Sequence, residues 1–548
     1  MASELAGHSQ NGSIRPPWQV HAPLFWALAV YAIAMAAAGW AQKEQLNSDA
    51  VCYLRNAYYF SSGHWSASVS GYWSPLLSWS IAPFLWLKMD GVYAGHFTLA
   101  LWGSLFITAA YYFLRISTTL ARPWDAVVMT IVALKTVTWV TRLVTPDLIL
   151  ATGLLVYSSI TLLPGFLQQR RYQIAAGMIG GAAYLAKSYG LPFFLVHLPG
   201  IIVLRYWSER SSTSWKAALR AWFIAMVAFC LVAGPWIGLL SAKYGRLTFS
   251  TVAQVAHSLM GPHDKPRGHP TDVLRTPGPD RLTVWETPDV LPYNHWSPFE
   301  SRDYFRHQVN LVGRNVVEMV KTFGDFDLLN LYPGVLLLLP LFFLHRRDKG
   351  FQDQTGWTLW TIALYAGGFL PIYYEARYVA PFLWPLGFLY LFGALARYGG
   401  SELSPKRSLP LATSCLAAIC ALSFALPAVY EVQAMIRRPS TPAWRNLAHR
   451  LEQLGTRGPI AVSPGLKNEG MLVSYLSSRQ FLGPASGQSV LAVEAGLEKF
   501  GAGTLLVRET KWPLANDFLT QTRWKLQETF QNHDIKIHIF TPPAENQR

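Results

Sequence analysis

Charge is what this chain has least of. Only 14% of its 548 residues are Asp, Glu, Lys or Arg, against about 25% in a soluble domain. That deficit, with repeated apolar runs of roughly 18 to 22 residues, excludes a water-soluble globule and reads as a polytopic membrane protein. Cysteine is also scarce: Cys52, Cys230, Cys415 and Cys420 are the four present. No CxxC pair occurs, so neither a disulfide framework nor a thiolate metal site is indicated, and three of the four sit in apolar runs as small hydrophobes. No internal repeat and no low-complexity tract is found. No glycine-rich phosphate loop is present either, because Gly501-Ala502-Gly503 reads as a turn.

The net charge of +15 would suit a nucleic-acid binder. Much of the Lys/Arg, however, falls in short loops between apolar runs, where it sets orientation, so no nucleic-acid partner is expected. The 22 Trp and 25 Tyr fit both interfacial belts and stacking on sugar rings.

Hydropathy predicts about eleven spans, near 22–41, 93–114, 124–140, 148–163, 174–188, 190–206, 220–240, 331–345, 356–373, 379–396 and 409–430. The segment from Arg15 to Ala41 loosely mimics a signal peptide, but its apolar run is long for a cleaved one and reads as a retained first span. With the N-terminus inside, the cytoplasmic segments hold Arg15, Arg115, Arg122, Arg170, Arg171, Arg205, Arg210, Lys216, Arg220, Arg346, Arg347, Lys349, Arg397, Lys406 and Arg407. The short outer turns hold only Arg142 and Arg377, so an N-in orientation with an odd number of spans is expected.

Residues 1–430 then form a transmembrane domain with two large outer segments. In the first, 42–92, a polar, aromatic opening leads to Ser74–Leu87, which Pro75 and Pro83 break; it is expected to lie as helices on the membrane surface. The second, 241–330, is rich in Pro, His and Trp, and its tail, 301–323, has helical periodicity. Residues 431–548 read as a separate soluble α/β domain. Helices are expected at Pro442–Leu454, Glu469–Ser478 and Val490–Phe500. Strands are expected at Pro459–Ser463, Thr504–Arg508, Lys525–Thr529 and Ile535–Thr541. The domain is expected to cover the outer face or to meet an acceptor, with a purely structural lid as the alternative.

Ionisable residues at a membrane surface are costly and therefore functional candidates. Asp49 follows the first span; a helix N-cap is the plain alternative. Asp147, in Thr145-Pro146-Asp147-Leu148, carries the same two readings. Lys187 either snorkels to the interface or binds phosphate. Glu375 and Arg377 share a tight turn, either as an internal salt bridge or with Arg377 free to grip a phosphate. All come from separate outer turns, as one interfacial site would require. The loop histidines His257, His263, His269, His295 and His307 could suggest a metal, but their spacing matches no compact ligand motif.

Five stretches in order along the chain carry a resemblance. They are the first outer loop with Asp49, Tyr72-Trp73-Ser74-Pro75-Leu76-Leu77, Thr145-Pro146-Asp147-Leu148-Ile149-Leu150, Gly180-Gly181-Ala182-Ala183-Tyr184-Leu185-Ala186-Lys187 and Glu375-Ala376-Arg377-Tyr378-Val379-Ala380-Pro381. Together they resemble glycosyltransferase family 39, the group of protein O-mannosyltransferases and the lipid A aminoarabinose transferase, over roughly 1–430. The resemblance implies an α-helical multi-span GT-C fold and a polyprenyl-phosphate-linked sugar donor. The acceptor would be a glycan, lipid or protein outside the inner (plasma) membrane. It implies Asp49 as the catalytic residue and extends to Asp147, Lys187 and Arg377 as substrate-binding residues; Glu375, Tyr53 and Tyr72, from the same outer stretches, are further substrate-binding candidates. Ala50 stands where relatives often carry a second acid, which bears against a two-carboxylate or metal-binding version of the site, although a divalent metal stays open as a cofactor. A transporter or lipid-linked-sugar flippase would also be polytopic, but should show paired repeats or broken helices around the midplane. A non-catalytic envelope scaffold is the third reading, and would need no meeting of Asp49 with a cation.

Overall fold

The computed structural model describes residues 21–117, 120, 123–209, 213–264, 269–334, 336, 349–398, 411–510, 512–532 and 535–543. Its helices outside the two large segments follow the predicted apolar runs. In chain order the helices are α1 (Ala22–Ala41), then α2 (Ser48–Ser61), α3 (Trp65–Ser68) and α4 (Pro75–Trp86) in the first large segment, and α5 (Gly91–Ser117), α6 (Trp124–Arg142), α7 (Asp147–Leu162), α8 (Arg170–Ala186), α9 (Gly190–Glu209) and α10 (Trp215–Tyr244) beyond it. The long loop carries α11 (Val252–Leu259) and α12 (Arg302–Gly324), and α13 (Lys349–Gly367), α14 (Ala376–Tyr398) and α15 (Leu411–Arg437) complete the bundle. Among the described residues seven helices are long and apolar enough to cross a membrane, namely α1, α5, α6, α9, α10, α14 and α15. Helices α7, α8 and α13 also occupy predicted spans. The predicted span at 331–345 lies largely outside the described residues, as do Arg15, Arg122, Arg210, Arg346, Arg347, Lys406 and Arg407.

Small residues set how closely the helices approach. A Cβ on Gly177 would stand 2.1 Å from the Ala225 carbonyl oxygen, and one on Gly181 2.7 Å from Val232. With no hydrophobic drive between helices in lipid, such contact is what packs α8 onto α10. The α8–α9 turn is equally tight: a Cβ on Gly190 would lie 2.7 Å from the backbone of Ala183 and Tyr184. That turn places Lys187, extended at the C-cap of α8, at one end of the bundle.

The C-terminal region holds α16 (Ala443–Gln453), β1 (Ile460–Val462), α17 (Lys467–Leu476), β2 (Phe481–Pro484), α18 (Val490–Lys499), β3 (Thr504–Val507), α19 (Ala515–Gln521), β4 (Lys525–Asn532) and β5 (Ile535–Thr541). The sheet order is β2-β1-β3-β5-β4, parallel across β2, β1 and β3 and antiparallel from β3 through β5 to β4. Strand β2 and helix α19 are additions to the sequence reading. Four residues containing Gly and Pro carry almost no strand signal, and β2 pairs because the long loop closes its outer edge. The Phe481 amide donates to the Leu282 carbonyl at 2.7 Å, and the Arg275 amide to that of Leu482 at 2.8 Å. Gly483 permits this approach: its φ is +107° and a Cβ would meet the Val273 carbonyl oxygen at 2.7 Å. At the bundle, Arg445 of α16 bonds Glu44 at 3.0 Å and Asp90 at 3.1 Å.

Candidate active site

Asp49 lies in the first turn of α2. The N-cap there is Asn47, and no side chain caps the helix, so the capping role open to Asp49 is not realised. Its carboxylate crosses to α14 instead, where Arg377 Nη2 donates to Oδ2 at 2.8 Å. The other oxygen, Oδ1, accepts from the indole Nε1 of Trp285 at 3.2 Å. These three residues come from three distant stretches of chain.

Arg377 is the hinge of the cluster. Its Nε donates to Glu375, so the internal pair within the turn forms as well. Its guanidinium lies 5.2 Å from the Tyr378 ring centre. On the same ring sits Lys187 Nζ at 3.7 Å, and Lys187 donates to Asp147 Oδ1. Lys187 is therefore not snorkelling away from the bundle: it is held between a carboxylate and an aromatic face. Asp147 begins α7 without capping it, and its Oδ2 accepts from the Thr145 hydroxyl at 2.8 Å. The turn that carries Arg377 is braced from α13, where the Tyr365 hydroxyl donates to the Tyr378 carbonyl at 2.9 Å.

The two tyrosine candidates line the same end. Tyr72 packs against Trp73 and Trp285, with ring centres 4.7 and 5.3 Å away. Tyr53 meets Trp73 edge-on at 5.1 Å. Burial first, and then the nearby carboxylates, push both phenols well above their ordinary range, so they stay protonated and remain donors.

Four residues fall outside the sequence's candidate list, Trp285, Glu286, Tyr378 and Thr145, and His269, raised there only as a possible metal ligand, joins them. One signal did exist. Thr283-Val284-Trp285-Glu286 has the Ser/Thr-x-x-Glu pattern of a capping box, and it forms one at a short 3-10 turn. His269 packs 4.5 Å from the Trp285 ring; its Nδ1 accepts from the Thr271 amide at 3.3 Å. Burial, aided by the Lys467 ammonium, pushes its imidazole down to about 4.

The remaining loop histidines form no ligand set, although His263 and His307 line one cavity. His257 stacks on Trp296 at 4.3 Å, His295 meets the Ser258 hydroxyl at 2.8 Å, and His307 Nε2 lies 2.8 Å from the Met260 carbonyl oxygen. Among the described residues no group of three or more His, Cys, Asp or Glu is arranged to hold a metal.

This architecture, a multi-span helical bundle carrying a small sheet domain, is the GT-C fold. Solved structures that share it include the ArnT from Cupriavidus metallidurans bound to undecaprenyl phosphate. It is 13% identical, covers 94% of this chain and 98% of its own, and gives a TM-score of 0.53. The archaeal oligosaccharyltransferase AglB from Archaeoglobus fulgidus, in complex with an inhibitory peptide and a dolichol-phosphate, is 11% identical over 90% of this chain and 70% of its own, with a TM-score of 0.52. The mycobacterial arabinofuranosyltransferase AftD is 12% identical over 95% of this chain and 40% of its own, at a TM-score of 0.50. No family model and no curated protein matches the chain.

Proposed function

We propose that this protein is a membrane glycosyltransferase that moves a sugar from a polyprenyl-phosphate donor to an acceptor hydroxyl at the outer membrane surface, with Asp49 as general base. Asp147, Lys187, Glu375, Arg377, Tyr53 and Tyr72 form the substrate-binding shell. The observation that carries this reading is the Asp49–Arg377 contact, an acid and a cation joined across 328 residues at one end of the bundle. Neighbours of the same fold contain undecaprenyl phosphate and dolichol-phosphate, and a lipid-linked donor suits a compartment without nucleotide sugars.

In the reaction, the acceptor oxygen attacks the anomeric carbon and its proton passes to Asp49. The bond from the anomeric carbon to the phosphate oxygen breaks, and the electron pair leaves with the polyprenyl phosphate. Direct displacement inverts the anomeric centre. The charge balance supports this assignment. Asp49, Asp147 and Glu375 carry three negative charges against two on Lys187 and Arg377. When Asp49 takes the proton, its hold on Arg377 weakens as the leaving phosphate gains charge, so the cation becomes available where charge develops. The C-terminal domain covers the outer face or meets the acceptor.

The test uses membranes supplied with radiolabelled polyprenyl-phosphate sugars, following which one loses its label. Asp49→Asn is expected to lower turnover by about 10²- to 10⁴-fold, the usual worth of a general base. Turnover near the wild-type level would exclude the base role, and a product with the donor's anomeric configuration would exclude direct displacement.

A further inference from the structure

We infer that the turn Thr283–Glu286 of the long loop is a positioning element for Asp49, with the buried Glu286 acting through the indole N–H of Trp285. The inference rests on the base role proposed for Asp49.

The Glu286 side chain is 0% exposed. Burying an anion is expensive unless donors surround it. Here they do: Oε1 accepts from the amides of Leu282 at 2.7 Å and Thr283 at 3.1 Å, and Oε2 accepts from the Tyr59 hydroxyl at 2.5 Å. The guanidiniums of Arg55 and Arg281 flank it at 3.7 and 3.6 Å. Tyr59 and Arg55 lie on α2, the helix that carries Asp49. One carboxylate thus folds the turn and fastens it to the helix of the base.

What the turn presents is Trp285. Its carbonyl accepts from the Trp73 indole at 3.0 Å, and its ring is wedged between His269 and Tyr72 at 4.5 and 5.3 Å. Its own Nε1 then reaches Asp49 Oδ1 at 3.2 Å. Arg377 holds Oδ2 from the opposite element. A carboxylate with each oxygen engaged from a different side has one orientation, which is what a base aimed at an acceptor proton needs. A clip that served stability alone would work as well with apolar groups of similar volume.

The full-length protein in membranes, supplied with radiolabelled undecaprenyl-phosphate sugars, separates the two. Trp285→Phe keeps an aromatic face and removes the N–H. Its kcat is expected to fall about tenfold, as for a lost hydrogen bond to a charged group, with KM for the donor unchanged. Glu286→Gln is expected to lower kcat in the wild-type background and to add nothing in the Trp285→Phe background, because both act through one contact. Multiplicative losses, or a rise in KM with kcat intact, overturn the inference. Should Glu286→Gln fail to fold, Trp285→Phe still decides. An inactive Asp49→Asn beside a fully active Trp285→Phe rejects the positioning role and leaves the base assignment standing. An active Asp49→Asn removes both.

Discussion

Midway along α6, Lys135 donates to both carboxylate oxygens of Glu431 on α15, each at 2.8 Å. At the Asp49 end, two cations share three carboxylates. The first arrangement is closed: one cation meets one anion, Lys135 is buried, and the pair does no more than join two helices. The second is open. Its formal charges do not cancel, aromatic faces supply part of the contact to Lys187 and Arg377, and its members come from α2, α7, the α8–α9 turn, the long loop and α14. Helix fastening needs only a neutral pair. The proposed site, in which Asp49 would accept a proton and Arg377 would turn to the leaving phosphate, needs the unbalanced one.

The comparison breaks most visibly at Arg377. Arg377→Ala is expected to lower turnover by about 10²- to 10³-fold, because it removes the charge nearest Asp49. Arg377→Lys keeps the charge but cannot reach Asp49 and Glu375 together, and is expected to lose about tenfold. Equal activity of the Lys variant and the wild type would reduce Arg377 to a simple counter-charge.

The closed pair should respond in stability alone. Lys135→Met strands the Glu431 carboxylate and is expected to cost about 1–2 kcal/mol, less than for a fully buried pair because Glu431 keeps partial exposure. The double variant Lys135→Met/Glu431→Leu should recover most of the lost Tm, with turnover per folded molecule unchanged throughout. A loss of turnover at wild-type Tm would place Lys135 in the functional machinery and dissolve the contrast.

The smallest effect is expected at His269. Its imidazole is held at about 4 against an ordinary 6.5, chiefly by burial and then by Lys467, with Asp272 and Asp49 opposing. The unfolded chain therefore binds the extra proton first as pH falls. His269 contributes its full stability above about pH 6.5 and loses it progressively down to about pH 4. In a Tm-against-pH series, His269→Gln should flatten the decline within that window. An unchanged slope would assign the acid sensitivity to other groups.

The seven helices that are long and apolar enough to cross a membrane were legible from their apolar runs, because length against bilayer thickness is a local property; α7, α8 and α13 fall on predicted runs but are shorter or carry polar ends. The C-terminal strands β1, β3, β4 and β5 were legible from alternating or short apolar runs; β2 was not, because its pairing depends on a loop about 200 residues away. Asp49, Asp147, Lys187, Glu375 and Arg377 stood out as charges where charge is rare. Trp285 did not, since one indole among 22 carries no mark of its own.

Hydropathy along the sequence therefore determined that the chain folds as a bundle of apolar helices and singled out the ionisable groups at its turns, because the solvation cost of charge and the length of a span are local properties; the Lys135–Glu431 pair inside the bundle was not singled out. Which carboxylate meets which cation was decided by the tertiary structure. The partners lie 328 and 236 residues from Asp49, and only the tertiary fold, which brings the start of α14 and the long loop to the first turn of α2, sets their donors within hydrogen-bond reach.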